Sequence, residues 1–340
     1  VTALARALAV TLALALPLAI ASAQPKTETR APAKPKPQPA TPGSTTTPST
    51  AAPANGPELD MVFGAFQRGY YLTAFSLATK RVDDKADPKS MTLLGELYAN
   101  GLGVPQDDKK AAEWYKLAAD RGDREAMFAL AMFRLAGRAG PRDRDASAKL
   151  LAAAAKLGQP LAAYDLALLY MEGQLFPQDF GRAAELLRAA AQTGNPEAQY
   201  ALGTLYKSGR GVVQNMPEAV HWFALAALAD NTTAEVEYAI ALYNGDGGLA
   251  PNQSAAAALF RKAALKNNPV AQDRLAHILA SGQGATANPV DATKWHIISK
   301  ASGETDLTLD DYVSKLDADT RSAGERAAKT WLDALKKPRS

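Results

Sequence analysis

Glycine recurs at a fixed interval through this 340-residue chain, at Gly101, Gly137, Gly173, Gly209, Gly245 and Gly282, with spacings of 36, 36, 36, 36 and 37. Such a period marks tandem supersecondary units, none of which can bury its own apolar face unless it stacks on its neighbours. Other positions keep the same register. Leu94, Leu130, Leu166, Leu202, Tyr238 and Leu275 are each followed by a small residue: Gly95, Ala131, Ala167, Gly203, Ala239 or Ala276. Asp107, Asp143, Asp179, Asn215, Asn252 and Asn288 form a polar column, and Trp114, Leu150, Leu186, Trp222, Leu259 and Trp295 a bulky apolar one. Gly122, Gly158, Gly194, Asp230, Asn267 and Gly303 close the units, and the one extra residue falls between Gly245 and Asn252, in the Gly247-Gly248 loop.

Each unit reads as helix, loop, helix, turn. In the fourth, Ala198, Leu202, Leu205 and Tyr206 stand at helical spacing, and Gly209 supplies the left-handed conformation that ends the first helix. Asn215 is placed to cap the second helix, which carries Ala219, Trp222, Phe223 and Ala226. Abundant alanine favours helices, because it loses no side-chain entropy in one. The expected fold is all-α, a solenoid of about six 36-residue helix-loop-helix repeats.

The stretch LGELYANGLGVPQDDKKAAEWYKLAADRGD, Leu94 to Asp123, resembles a unit of the Sel-one-like repeat family, as does Ala201 to Ala227. The resemblance implies a right-handed α-solenoid related to tetratricopeptide repeats, serving as an adaptor for other proteins. Exported members often serve bacterial envelope assembly, polysaccharide secretion or signalling. Members credited with hydrolytic activity are disulfide-bridged, and this chain has no cysteine, so an enzymatic role does not carry over. Arg134, Ala139 and Leu175 depart from the pattern, and the loops at Ala139 and Leu175 are expected to be rebuilt.

The flanks have their own composition. Arg6, the apolar run Leu8 to Ile20 and the small-residue site Ala21-Ser22-Ala23 read as a secretory signal peptide over 1–23. Residues 24–57 contain nine prolines among Ala, Thr, Ser and Lys, too little apolar area to offset ordering entropy, and read as a disordered tether. Residues 58–90 read as a degenerate helical cap, 91–303 as the six repeats and 304–340 as capping helices anchored by Leu316, Trp331 and Leu335. The net charge of +3 comes from the ends: residues 1–57 carry five cations and one anion, +4, which leaves −1 for the rest. That balance argues against a nucleic-acid partner.

The chemical inventory is short. His221, His277 and His296 fall in three units with no His-x-x-x-His or Glu-x-x-His spacing, so no metal and no cofactor are expected. His221 stands at a solvated position, and His296 in a column with Tyr115, Phe223 and Phe260, where a packed imidazole is expected. The first helices of the second and third units are apolar almost all round, and Met132, Leu135, Leu168 and Met171 fall outside their packing stripe. In related solenoids this face lines the concavity. These four are the candidate partner-binding residues, with deeper burial of the central units as the competing explanation. The expected function is a non-enzymatic scaffold in the bacterial envelope, periplasmic or fully secreted, with protein partners and no membrane span after signal cleavage. The alternative is a glycan-binding protein or hydrolase acting on the cell wall, with Glu96, Asp165 and Glu172 as its acids.

Overall fold

A computed structural model of the chain describes residues 60–336; the signal-peptide and tether readings lie outside the described residues. Among these there are sixteen α-helices and no strand. Six first helices, here called A, are α3 (Pro88–Asn100), α5 (Arg124–Ala136), α7 (Pro160–Glu172), α9 (Pro196–Ser208), α11 (Thr232–Asn244) and α13 (Pro269–Ser281). They alternate with six B helices: α4 (Asp108–Ala119), α6 (Arg144–Lys156), α8 (Phe180–Gln192), α10 (Met216–Leu228), α12 (Gln253–Leu265) and α14 (Pro289–Ala301). The helices α1 (Met61–Gln67) and α2 (Tyr71–Lys85) precede them, and α15 (Leu307–Ser314) and α16 (Ala318–Lys336) follow. From α1 to α14 each helix packs on its neighbours in sequence, A on B within a unit and B on the next A, while α15 touches α13 and α16 folds back onto α14. This is an all-α solenoid.

The repeated columns have physical causes. Asp107, Asp143, Asp179, Asn215, Asn252 and Asn288 all cap B helices, their side-chain oxygens accepting from free amides of the first turn at 2.8–3.1 Å. The six periodic glycines end the A helices with φ between 66° and 80°, a conformation that costs a residue bearing a Cβ. Asp230 and Asn267 take the same conformation at the other turn, with φ of 69° and 64°. The extra residue is absorbed by a 3-10 turn at Asp246–Gly248. Ala139 keeps the left-handed conformation of the glycine it replaces (φ 64°), so that loop is not rebuilt, contrary to expectation. Leu175 does not take it, and there the loop departs from its equivalents.

The interior is built from alanine and leucine. The Leu column is buried at Leu94, Leu130, Leu166, Leu202 and Leu275, and the small residue beside each is fully covered. The B-helix residue facing that small residue is Tyr115, Leu151, Leu187, Phe223, Phe260 or His296, all buried, whereas the bulky column one position earlier is half-buried except at Trp295. Alanine stands opposite Phe260 and His296, but at the two glycines of the column the facing ring leaves no room for a Cβ. A Cβ on Gly203 would stand 2.7 Å from the Phe223 ring, and one on Gly95 would stand 2.6 Å from Tyr115.

At the C-terminal end Trp331 packs edge-on against Trp295, with ring centroids 5.3 Å apart. A Cβ on Gly324 would stand 2.5 Å from Thr293, which shows how closely α16 approaches α14. The expected anchor Leu335 is 48% exposed, because α16 turns it outward; Ala328 and Leu332 pack against the core instead. No helix of the described residues is long and apolar enough to cross a membrane.

Candidate interaction site on the helix A layer

Two residues past the Leu column, the A helices carry Glu96, Met132, Leu168, Thr204, Ile240 and His277. One residue before it they carry Leu93, Ala129, Asp165, Ala201, Glu237 and Arg274. These positions lie one turn or less apart on one side of each helix, away from the buried Leu and small-residue columns. Repetition of the unit aligns them into a stripe, so the side chain at one register position sets the chemistry of one segment.

In the second and third units the stripe is apolar. Met132 and Leu168 are half-buried at matching positions of α5 and α7. Leu135 and Met171, also half-buried, sit one turn on; Leu135 packs against the core between α5 and α7, and Met171 against that between α7 and α9. All four retain accessible surface, and two of them contribute to packing.

Asp165 lies within this apolar segment. It makes no hydrogen bond among the described residues, and burial pushes its carboxyl up to about 7. Near neutral pH much of it is therefore protonated, so the segment carries only a partial charge. Burial likewise raises the Glu96 carboxyl above the usual range. Glu172 is paired with Arg144 at 3.7 Å. The structure does not gather these three acids: Glu96 is on α3, four helices before α7, and Asp165 and Glu172 are separated by two turns, about 10 Å along the axis.

A cavity of about 410 Å³ opens between α11 and α13, bordered by Ile240, Tyr243, Arg274, His277, Ser281 and Gln283. Beside it lie Asp273, His277 and Asp306, each offering a ligand atom within 4.8 Å of the others. His277 Nε2 is 2.7 Å from Asp306 Oδ2. A search for His-x-x-x-His or Glu-x-x-His spacing misses this group. Its readable signal was Asp273-x-x-x-His277, one helical turn, and its third member comes from the N-cap of α15. Burial raises the Asp273 carboxyl, whereas the His277 contact and the backbone amides of Leu309 and Thr308 outweigh burial and lower that of Asp306. His296 is 3% exposed, as its column required, and meets Asp310 at 2.8 Å through Nε2. His221 is exposed, its ring edge-on to Trp222.

Stacked two-helix units in tandem define a repeat protein of the α-solenoid class. A family model of the Sel1 repeat matches residues 88–123, 124–159, 160–195, 196–231, 233–268 and 269–303, and the chain belongs to the Sel1 repeat family. Among solved structures it is similar to a Sel1 repeat protein from Oxalobacter formigenes, at 27% identity and TM-score 0.61 over 71% of this chain and 98% of that one. It shares the fold of a protective antigen of uropathogenic Escherichia coli displaying an SLR fold, at 24% identity and TM-score 0.56 over 79% of this chain and 68% of that one. No curated protein matches it. Sel1 repeat proteins generally mediate protein–protein interactions as non-catalytic scaffolds.

Proposed function

We propose that the chain is an exported, non-enzymatic adaptor of the bacterial cell envelope, resident in the periplasm, that seats a protein partner along the apolar segment of its helix A stripe. The observation that carries this reading is the placement of Met132 and Leu168 at matching positions of adjacent A helices, half-buried and outside the packing columns. Leu135 and Met171 extend the segment, with their outer surfaces available to a partner. An apolar face bordered by polar neighbours suits an amphipathic helix or an extended strand, and methionine adapts to the shape of what it meets. Protonated Asp165 lets that face be covered without enclosing a full charge. Support for export comes from the apolar run Leu8 to Ile20 followed by Ala21-Ser22-Ala23, and the proline-rich segment after it would give the adaptor reach.

The test is an in-cell crosslinking pull-down of the tagged chain from the cell envelope, compared with Met132→Glu and Leu168→Glu. The reading requires a reproducible protein partner that both variants lose while circular dichroism shows their helices intact. Retention of the partner by both variants refutes the stripe as its seat. A steep fall in Tm for both variants assigns the residues to the core and does the same.

A further inference from the structure

The last repeat carries side chains that neither the repeat framework nor the apolar stripe requires. At the register of Asp273 the other units have Thr92, Phe128, Tyr164, Tyr200 and Val236, and at that of His277 they have Glu96, Met132, Leu168, Thr204 and Ile240. An acid and an imidazole one turn apart therefore occur together in this unit alone, beside α15. We propose that Asp273, His277 and Asp306 bind a divalent first-row transition ion, Zn²⁺ foremost, and that the ion fastens α15 to the last repeat.

The geometry supports this in three ways. Asp306 is held in place by its role as N-cap: Oδ1 accepts from the amides of Thr308 and Leu309 at 2.8 and 2.9 Å, which leaves Oδ2 turned to His277. Asp273 makes no hydrogen bond among the described residues, so two carboxylates and one ring nitrogen converge with one carboxylate that has no hydrogen-bond donor of its own. The three ligand atoms lie within 4.8 Å of one another, and metal–ligand bonds of about 2.0–2.2 Å would require separations near 3.3 Å, so side-chain rotation would bring Asp273 in and open the 2.7 Å contact of His277 with Asp306. One imidazole with two carboxylates selects Zn²⁺ or Mn²⁺ over Mg²⁺, which prefers oxygen ligands and its own waters. His277 also borders the cavity between α11 and α13, where water or a small anion could complete the coordination. A second imidazole, His296, lies within electrostatic reach of Asp273, and its buried Nδ1 has no partner.

The experiment uses the full chain, freed of metal by chelator, titrated with Zn²⁺ by calorimetry and with Co²⁺ by visible absorption. One ion per chain is expected, with affinity at least tenfold weaker in His277→Gln, Asp273→Asn and Asp306→Asn. The last keeps the cap, since asparagine caps as aspartate does. His221→Gln, at the exposed histidine, should bind as the wild type does. Should the site variants unfold, the wild type still decides the matter: with only three histidines, NMR of the ring protons should show the His277 signals shifted by Zn²⁺ and those of His221 unmoved. Failure to saturate, binding that survives both His277→Gln and Asp273→Asn, loss of binding in His221→Gln, or displacement by equimolar Mg²⁺ would overturn the proposal and leave His277–Asp306 a plain hydrogen-bonded pair.

Discussion

Gly203→Ala tests whether glycine in the small-residue column is there to admit a ring. In a helix, glycine to alanine gains about 1 kcal/mol from backbone entropy. Here the new methyl would meet Phe223 at 2.7 and 2.8 Å and the Ala219 carbonyl at 3.1 Å, and overpacking of a closed core costs about 1–3 kcal/mol. The balance is a net loss of about 1 kcal/mol. The third unit solves the same contact with Ala167 against Leu187, both buried. Phe223→Leu alone should lose about 1–2 kcal/mol to the space it leaves. Added to Gly203→Ala it recreates the Ala167–Leu187 pair, so the double variant should be more stable than the sum of the singles by about 2 kcal/mol. The four chains would be compared by urea unfolding followed by circular dichroism. Stabilisation by Gly203→Ala together with additive effects would refute the reasoning, because the methyl would then gain helix propensity without meeting the ring.

Two further outcomes follow from the buried acids. With its carboxyl at about 7, the folded chain holds a proton on Asp165 that the unfolded chain releases near pH 4. This contribution is full below about pH 4 and lost as pH rises through about 7. Asp165→Asn, uncharged throughout, should therefore show a higher Tm than wild type at about pH 8 and the same Tm at about pH 4 by calorimetry; equal values at both would contradict the burial argument. Glu235 is fully buried and pairs with Lys262 at 2.6 Å and Lys266 at 2.9 Å. Its equivalents Gln199 and Gln272 donate instead to the Ala191 and Ala264 carbonyls of the preceding B helix. Glu235→Gln can make that bond to Ala227 and should change stability by less than about 0.5 kcal/mol, whereas Glu235→Ala should cost about 2 kcal/mol; equal losses in urea unfolding would refute the exchange.

The repeat architecture was legible because backbone requirements recur: a left-handed residue after every A helix and an Asx cap before every B helix leave glycine and Asp or Asn at fixed intervals. Ala139 and Leu175 mark the limit of that reading. Both replace the same loop glycine, yet only Ala139 keeps its conformation: alanine is small and followed by Gly140, whereas Leu175 and Phe176 pack against the core, Phe176 stacked on Tyr170 with centroids 5.0 Å apart. The surface was harder to read. The partly packed state of Leu135 and Met171 depends on how the next unit covers them, a long-range property. The outward turn of Leu335 likewise follows from the way α16 docks through Gly324, Ala328 and Trp331. Asp306 lies 29 residues beyond His277 and reaches it only because α15 returns to the face of α13, so histidine spacing alone did not disclose the group.

The central claim is that the helix A stripe at α5 and α7 is the seat of a protein partner. Site-specific photocrosslinking in living cells tests it most directly, with the photoreactive residue placed at 132, at 168 and, as a control, at Leu228, which is 84% exposed at the end of α10. The account predicts one discrete crosslinked protein shared by positions 132 and 168 and absent from 228. A partner captured from 228 but from neither stripe position would contradict it.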